Sequence, residues 1–545
     1  MSALLAHLPV LPVILPLFAG ALLLLIPDQH RGWRSAIAVV SVLLQLAVAA
    51  TLLVYAAGRA DSPWPHGIGV YLLGDWPAPF GIVLVVDRLS AIMLALTAIL
   101  GSATLVYALA RWDRAGVHFH PLFQFLLLGL NGAFLTGDLF NLFVFFEVLL
   151  AASYGLVLHG SGAPRVRAGL RYIVINLLAS LLLLIGISLI YGVTGTLNMA
   201  DLALRAGALG GPQRTLYEAG AAILSVAFLV KAGAWPLNFW LAAGYSSACA
   251  PVAAMFSIMT KVGIYALLRL GSLLLPTGAP AAFGLEWMFA IGLATSVFGA
   301  VGLLATQSLA RVGAYSIIVS VGTLLTALGM PGVALTGPAL FYLISSVLAT
   351  AALFMLLELV ERTRPFGANV LAVTLEAFDL DDPHGADRSD DVVGVAIPAA
   401  MAFLGLSFCC CVLLVAGLPP LSGFIAKFAL ISVAMDAVSG LAHPSTAWLL
   451  IVVLLCSGMA GVVAMGRAGM RIFWGPDERA TPRLRLLEVG PITALIALCV
   501  TLAFWADPVI VYLGDAAAAL DRPQSYIDAV LSAPAGHAIA KGGGA

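Results

Sequence analysis

Three lysines interrupt stretches of this sequence that are otherwise apolar enough to cross a lipid bilayer. Lys231 lies in SVAFLVKAGAWPLNFW, Lys261 in APVAAMFSIMTKVGIYALLR and Lys427 in GLPPLSGFIAKF. The chain has four lysines in all, and the fourth, Lys541, sits in a Gly/Ala tail. An ammonium at mid-bilayer depth costs roughly 2.5–3.5 kcal/mol even on lenient insertion scales, so it is expected to face a protein interior or a wet cavity and to act there. The alternative is a structural lysine, bonded internally or snorkelling to the headgroups. Arginine carries nearly every other positive charge, a bias that GC-rich coding would also produce. Against that background lysine stands where a removable proton matters, because a buried lysine can release its proton near neutral pH and arginine stays charged. The chemistry these residues suit is proton transfer.

Glu147, in GDLFNLFVFFEVLLAASYGLVLH from Gly137 to His159, is the carboxylate best placed within an apolar run. A carboxylate that favours the charged lysine when close and releases it when apart is the minimum device for loading and unloading Lys231. Read structurally, Glu147 is instead a buried, hydrogen-bonded acid. Lys261 is positioned to take a proton from Lys231 through intervening water, and Lys427 to hand it towards the far side. Between them stand the hydroxyls of Ser257, Thr260, Tyr265, Ser316, Ser320, Ser345, Ser346 and Thr350, although hydroxyls in membrane helices commonly bond back to their own helix. His159 ends the Glu147 span near the face where protons would enter, and Asp138 is expected at the interface.

Positioning these groups requires membrane helices. With 62% hydrophobic and 10% charged residues, the 545-residue chain reads as an all-α polytopic membrane protein and not as a soluble one. About fourteen hydrophobic runs are long enough to span, among them 82–110, 217–242, 246–275, 393–436 and 490–514. The run 4–26 lacks a basic leader and a cleavage site and is taken as the first span. No polar/apolar alternation of a barrel appears, and a net charge of −1 argues against nucleic acid as a partner. The six cysteines show no CxxC spacing, so no metal or cofactor site is expected.

Two spans are broken by proline, the seventh at Trp235-Pro236 beside Lys231 and the twelfth at Pro419-Pro420 beside Lys427. Such breaks survive in a bilayer only where freed carbonyls meet protein or water. Matching breaks in two halves point to an ion site in an inverted-repeat transporter. The expected organisation is three N-terminal spans (1–118), a first five-helix repeat (119–275), a second (276–474) containing an acidic loop (362–392), and a last span with a short tail (475–545). Arginines such as Arg31, Arg165, Arg311, Arg362 and Arg485 crowd alternate connections, which places those on the cytoplasmic side and both termini outside.

These same stretches resemble the antiporter-like membrane subunits shared by complex I-type NADH dehydrogenases and the Mrp multisubunit Na+/H+ antiporters. The resemblance rests on TGDLFNLFVFFEVLLAASYGL, the run from Lys231 through Trp235-Pro236 to Trp240-Leu241, APVAAMFSIMTKVGIYALLR, ARVGAYS and GLPPLSGFIAKF, and within the family it is strongest for the D-type subunits of Mrp antiporters. It implies fourteen core helices, two inverted five-helix repeats, and a proton path through Glu147, Lys231, Lys261 and Lys427. It further implies partner subunits, protons and sodium as the transported ions, a bacterial inner membrane, and no redox cofactor or enzymatic centre in this chain. Many relatives carry histidine where this chain has Ser320, and histidine or lysine around Ser345 to Thr350. The central relay implied here therefore depends on water held by hydroxyls. Two other readings are open, a pumping subunit driven by redox chemistry elsewhere and a structural subunit with a degenerate path.

Overall fold

The computed structural model describes residues 7–58, 62–274, 285–362, 399–440, 444–473 and 484–534. The acidic loop expected over 362–392 lies, beyond Arg362, outside the described residues, as does Lys541. Among the described residues are nineteen α-helices and one two-stranded hairpin. Helices α1 (Leu11–Leu25), α2 (Arg31–Ala56) and α3 (Arg88–Leu109) precede α4 (Phe119–Leu135), α5 (Leu139–Val157) and α6 (Ala163–Thr194). A short α7 (Met199–Ala208) leads to α8 (Gly211–Ala232), whose direction is interrupted before α9 (Leu241–Ser247), and then to α10 (Ala250–Leu274). Next come α11 (Leu285–Ala305), α12 (Leu309–Leu328), α13 (Thr336–Glu361), and a second interrupted pair, α14 (Ala399–Ala416) and α15 (Ser422–Ala437). The chain closes with α16 (Pro444–Phe473), α17 (Leu486–Phe504), α18 (Ala506–Asp521) and α19 (Gln524–Leu531).

Among the described residues thirteen helical stretches are long and apolar enough to cross a membrane, against about fourteen expected; α4, at the place of the remaining span, is apolar but only seventeen residues long. The bundle is arranged around α10, α12 and α13, whose apolar windows are 94%, 83% and 89% buried, against 28% for the peripheral α17. Small residues allow the close approach. A Cβ on Gly322 of α12 would stand 2.3 Å from the backbone nitrogen of Ser296 on α11, and one on Gly292 of α11 would stand 2.3 Å from that of Thr326. Between membrane helices such close packing replaces the hydrophobic drive that lipid does not supply.

The structure departs from the hydropathy reading at several ends. The span expected from residue 82 begins instead with strand β2 (Val83–Val86), antiparallel to β1 (Gly69–Leu72). The β-branched run VLVV favours a strand. Asp87 then caps α3, accepting from the Ser90 amide while Ser90 Oγ receives the Asp87 amide. The run 217–242 holds a helix only to Ala232, and 490–514 is divided at Trp505 between α17 and α18. Beyond Asp515 the chain continues as helix, and α19 buries Tyr526, Ile527 and Val530.

That return of α19 completes an ion pair far apart in sequence. Arg269 at the end of α10 donates two bonds of 2.7 Å to the Asp87 carboxylate, and its guanidinium lies 5.6 Å from the Tyr265 ring centre and 5.0 Å from that of Tyr526. Burial alone would raise the Asp87 carboxyl, and the Arg269 charge with its hydrogen bonds outweighs that and holds it below the usual carboxylate range. A fixed, bidentate pair of this kind locks three elements at the face opposite the arginine-rich connections.

Close packing at Gly322 is directly testable. Gly322→Ala should cost about 1–3 kcal/mol and lower the melting temperature of the solubilised protein. Gly490→Ala, on α17 with nothing within 4 Å of its added Cβ, should leave it unchanged or slightly raised.

Candidate functional site

Lys231 occupies the last turn of α8, and the helix ends there because Gly233 adopts φ +78°. The Gly233 amide donates to the Val230 carbonyl at 3.0 Å and the Ala234 amide to the Leu229 carbonyl at 3.0 Å, the Schellman pattern that only a residue tolerant of left-handed backbone closes cheaply. Past the turn, the freed Trp235 amide finds Thr295 Oγ1 on α11 at 2.9 Å. Lys231 is buried, donates to Ser180 Oγ on α6 at 3.1 Å, and lies 4.7 Å from the centre of the Phe146 ring on α5. Glu147, the next residue on α5, is close enough to act on the ammonium electrostatically. Its Oε1 is buried with no hydrogen-bond partner, as is the Tyr154 hydroxyl two turns along the same helix. Glu147 and Lys231 are thus neighbours that no hydrogen bond locks together.

Lys261 is the most enclosed of the three, 1% exposed. Its helix meets α8 almost backbone to backbone: a Cβ on Gly263 would stand 2.6 Å from the Phe228 carbonyl and 2.8 Å from the Ala232 nitrogen, beside Lys231. The Lys261 ammonium donates to Ser320 Oγ at 3.0 Å, and Ser320 donates onward to Ser346 Oγ at 3.0 Å. Ser346 and Thr350 bond back to α13 carbonyls at 3.0 and 2.7 Å. Beside them is a cavity of about 20 Å³ lined by Ser316, Ser320, Ser345, Ser346, Thr350 and Ser457, room for about one water among several polar partners.

On the other side of that cavity, Ser345 shares a 2.9 Å hydrogen bond with Ser422, the first residue of α15. Lys427 follows little more than one turn later. It is buried and donates to the Ala416 carbonyl at 2.7 Å. That carbonyl is available because α14 ends at Gly417, φ +76°, where the Leu418 amide returns to Leu413 at 2.9 Å. Glycines admit the lysine: a Cβ on Gly417 would stand 2.5 Å from Lys427 Cδ, and one on Gly458 of α16 would stand 3.1 Å from its Nζ. Pro236 and the Pro419-Pro420 pair occupy matched places, since GAWP (233–236) and GLPP (417–420) each put proline three residues after the positive-φ glycine. The lysines are not matched. Lys231 precedes its break and Lys427 follows it.

Of the residues singled out from sequence, Ser320, Ser345 and Thr350 therefore fall between Lys261 and Lys427. His159 does not join them. It lies past α5 at the arginine-rich face, its ring nitrogen 2.7 Å from the Trp112 carbonyl and its ring 5.0 Å from that of Phe119. Burial holds its imidazole below the ordinary value, against the opposing pull of the Trp112 bond. Tyr265 is also elsewhere, donating to the Phe134 carbonyl at 2.6 Å near Arg269. Sequence reasoning passed over Glu358. It receives the Trp112 indole at 2.9 Å and the Tyr107 hydroxyl at 3.3 Å and pairs with Arg362, which reaches Glu488 at 2.5 Å. Its one signal was an acid near the end of an apolar span, four residues before an arginine, a spacing that reads as an ordinary helix-surface pair.

The arrangement is thus three buried lysines, the first two on helices in close contact, the second and third with serine and threonine hydroxyls between them, and one carboxyl beside the first. Residues 136–457, more than half of the chain, match the transmembrane family described as "NADH:quinone oxidoreductase/Mrp antiporter". A Rhizobium meliloti (strain 1021) protein, named as the D-type subunit of a probable K(+)/H(+) antiporter, is 52% identical over 97% of this chain and 98% of its own length. An Alkalihalophilus pseudofirmus protein, named as the D-type subunit of a Na(+)/H(+) antiporter, is 35% identical over 96% and 99%. A chain in the solved structure of the Mrp complex from Dietzia sp. DQ12-45-1b superposes with a TM-score of 0.78 at 27% identity, over 96% of this chain and 99% of that one. This multi-pass membrane protein belongs to the antiporter-like subunit family that NADH:quinone oxidoreductases and Mrp antiporters share.

Proposed function

We propose that this chain is the proton-translocating membrane subunit of a multisubunit monovalent cation/proton antiporter. The observation that carries the reading is the row itself. Three buried lysines each meet a single oxygen; Lys261 leads through Ser320 to Ser346 beside a water-sized cavity, and Ser345 on the same cavity bonds Ser422, little more than one turn before Lys427. Glu147 acts as the switch on Lys231. Its closeness without a hydrogen bond supports a pair that alternates between contact and separation. Protons pass from Lys231 to Lys261 across the tight α8/α10 crossing, then along the hydroxyls to Lys427. His159, Trp112 and Glu358 form a connected approach on the arginine-rich face.

Proton movement through this subunit is coupled to export of a cation by partner subunits. The relatives' names mention potassium in one case and sodium in another, so the proposal is for a monovalent cation, sodium being the expectation from resemblance. The two interrupted spans are each fourth in a run of five: α4, α5, α6, α8/α9 and α10, then α11, α12, α13, α14/α15 and α16. With the matched GAWP and GLPP turns, this supports two inverted repeats over 119–275 and 276–474. The arginine-rich connections face the cytoplasm of a bacterial cell, with both termini outside the inner membrane. A redox-driven pumping subunit would use the same row; copurifying flavin and iron–sulfur proteins would favour it.

Vesicles bearing the whole complex, prepared from cells lacking other sodium exporters, test the reading. Glu147→Ala and Lys231→Ala should each reduce ΔpH-driven exchange by a factor on the order of 100 or more, the scale of losing a positioned acid or base, with assembly intact by affinity purification of the complex. Exchange at the unaltered rate would leave a scaffold as the better description. Ser320→Ala, which removes the bridge between Lys261 and Ser346, should slow exchange about tenfold. Ser188→Ala, whose exposed hydroxyl bonds only its own helix, should not.

A further inference from the structure

A second cavity, of about 450 Å³, opens on the arginine-rich face where α6, α9 and α12 meet. Arg167 and Arg171 from the second and third turns of α6 and Arg311 from the first turn of α12 line it, and no carboxylate does. All three are exposed, and among the described residues none makes a hydrogen bond or ion pair. This distinguishes them from Arg165 close by, which donates to the Ser247 carbonyl at 2.8 Å and lies 5.3 Å from the centre of the Trp112 ring. Three like charges around one hollow repel one another unless an anion joins them. The starts of α6 and α12 add the positive ends of two helix dipoles to the same place.

Beyond the hollow the surface is apolar and faces outward from the bundle. Phe239 is 59% exposed, Leu170 61% and Val174 47%, the last two on the α6 turns that follow Arg167 and Arg171. A charged hollow whose outer edge continues into exposed aliphatic side chains matches one class of ligand, a phosphodiester headgroup with its acyl chains lying along the helix. Free phosphate would use the guanidiniums and leave the apolar edge without purpose. We propose that this cavity binds the headgroup of an anionic phospholipid from the leaflet on the arginine-rich side, with Arg167, Arg171 and Arg311 around the phosphate. Ser246, from the resumed half of the seventh span, also lines the hollow, so the lipid sits against the segment that follows the Lys231 break.

The whole complex, purified and stripped of native lipid, can be titrated with phosphatidylglycerol or phosphatidylcholine and bound molecules counted by native mass spectrometry. The unaltered protein should retain phosphatidylglycerol selectively. At about fivefold per guanidinium removed, the Arg167→Gln/Arg171→Gln/Arg311→Gln variant should bind it roughly a hundredfold more weakly, while eluting as the same assembled complex. The corresponding triple lysine variant keeps the charge and should stay within about tenfold of the original. Equal retention of phosphatidylglycerol by the glutamine variant, as would follow if another subunit covered the hollow, overturns the proposal. So does displacement of bound lipid signal by millimolar inorganic phosphate with no preference between the two lipids, which would mark a site for the free anion.

Discussion

Everything in this bundle turns on how little oxygen surrounds three ammonium groups. Lys231 has the Ser180 hydroxyl, Lys261 the Ser320 hydroxyl and Lys427 the Ala416 carbonyl. An ammonium carries three donors, and in an apolar interior each unmet donor adds to the cost of the charge. One neutral acceptor apiece leaves the charged form only partly compensated, so a water molecule, or a carboxylate moving by a fraction of its own length, shifts the balance. A lysine fully enclosed by acids would be a structural ion pair, and one with no oxygen would stay neutral.

At Lys427 a helix break is how the chain obtains such a site without unravelling. A continuous helix consumes its carbonyls internally, and the Ala416 oxygen reaches Lys427 only because α14 stops at a left-handed glycine. At the end of α8 the Schellman turn at Gly233 instead closes the Leu229 and Val230 carbonyls, Lys231 meets the Ser180 hydroxyl of α6, and the freed Trp235 amide is taken up by Thr295. Glycine serves a second purpose at Gly263, Gly417 and Gly458, where a side chain would occupy the space of a neighbouring backbone or of the lysine itself. The groups freed at the breaks are met by protein, the Trp235 amide by Thr295 and the Ala416 carbonyl by Lys427, while Trp235, Pro236, Leu418, Pro419 and Pro420 themselves are exposed.

The lysines, Glu147 and the proline breaks were legible in the sequence because each violates the composition of its surroundings, and a violation at membrane depth carries a cost that demands a reason. By its own chemistry Ser320 was one hydroxyl among eight, and only the resemblance to relatives with histidine there set it apart; nothing local distinguishes it from Thr260, which bonds back within its own helix. What selects Ser320 is the approach of α10 to α12, a tertiary fact. Asp87 and Arg269 stand 182 positions apart and read separately as a helix cap and an interfacial charge. The strand at Val83 was hidden because an apolar β-branched run beside a helix has the hydropathy of a longer helix. His159 shows the converse: it is well placed along the chain, yet its ring turns to the Trp112 carbonyl and away from the row.

Arginine and lysine divide the work of positive charge by depth and by mobility. At one face Arg269 grips Asp87 with two bonds, and at the other Arg362 bridges Glu358 and Glu488. A guanidinium cannot lose its proton, and its planar fork holds a carboxylate in one geometry. These pairs therefore fix elements together whatever the proton occupancy of the interior. Between them the positive charges are all lysine, on flexible stems, against hydroxyl and carbonyl oxygens that do not bind the charge permanently. The carboxylate that could hold Lys231 permanently, Glu147, is left out of hydrogen-bonding contact. A fold meant only to bury charge would pair them; leaving them apart is costly in stability and is intelligible if the proton has to move.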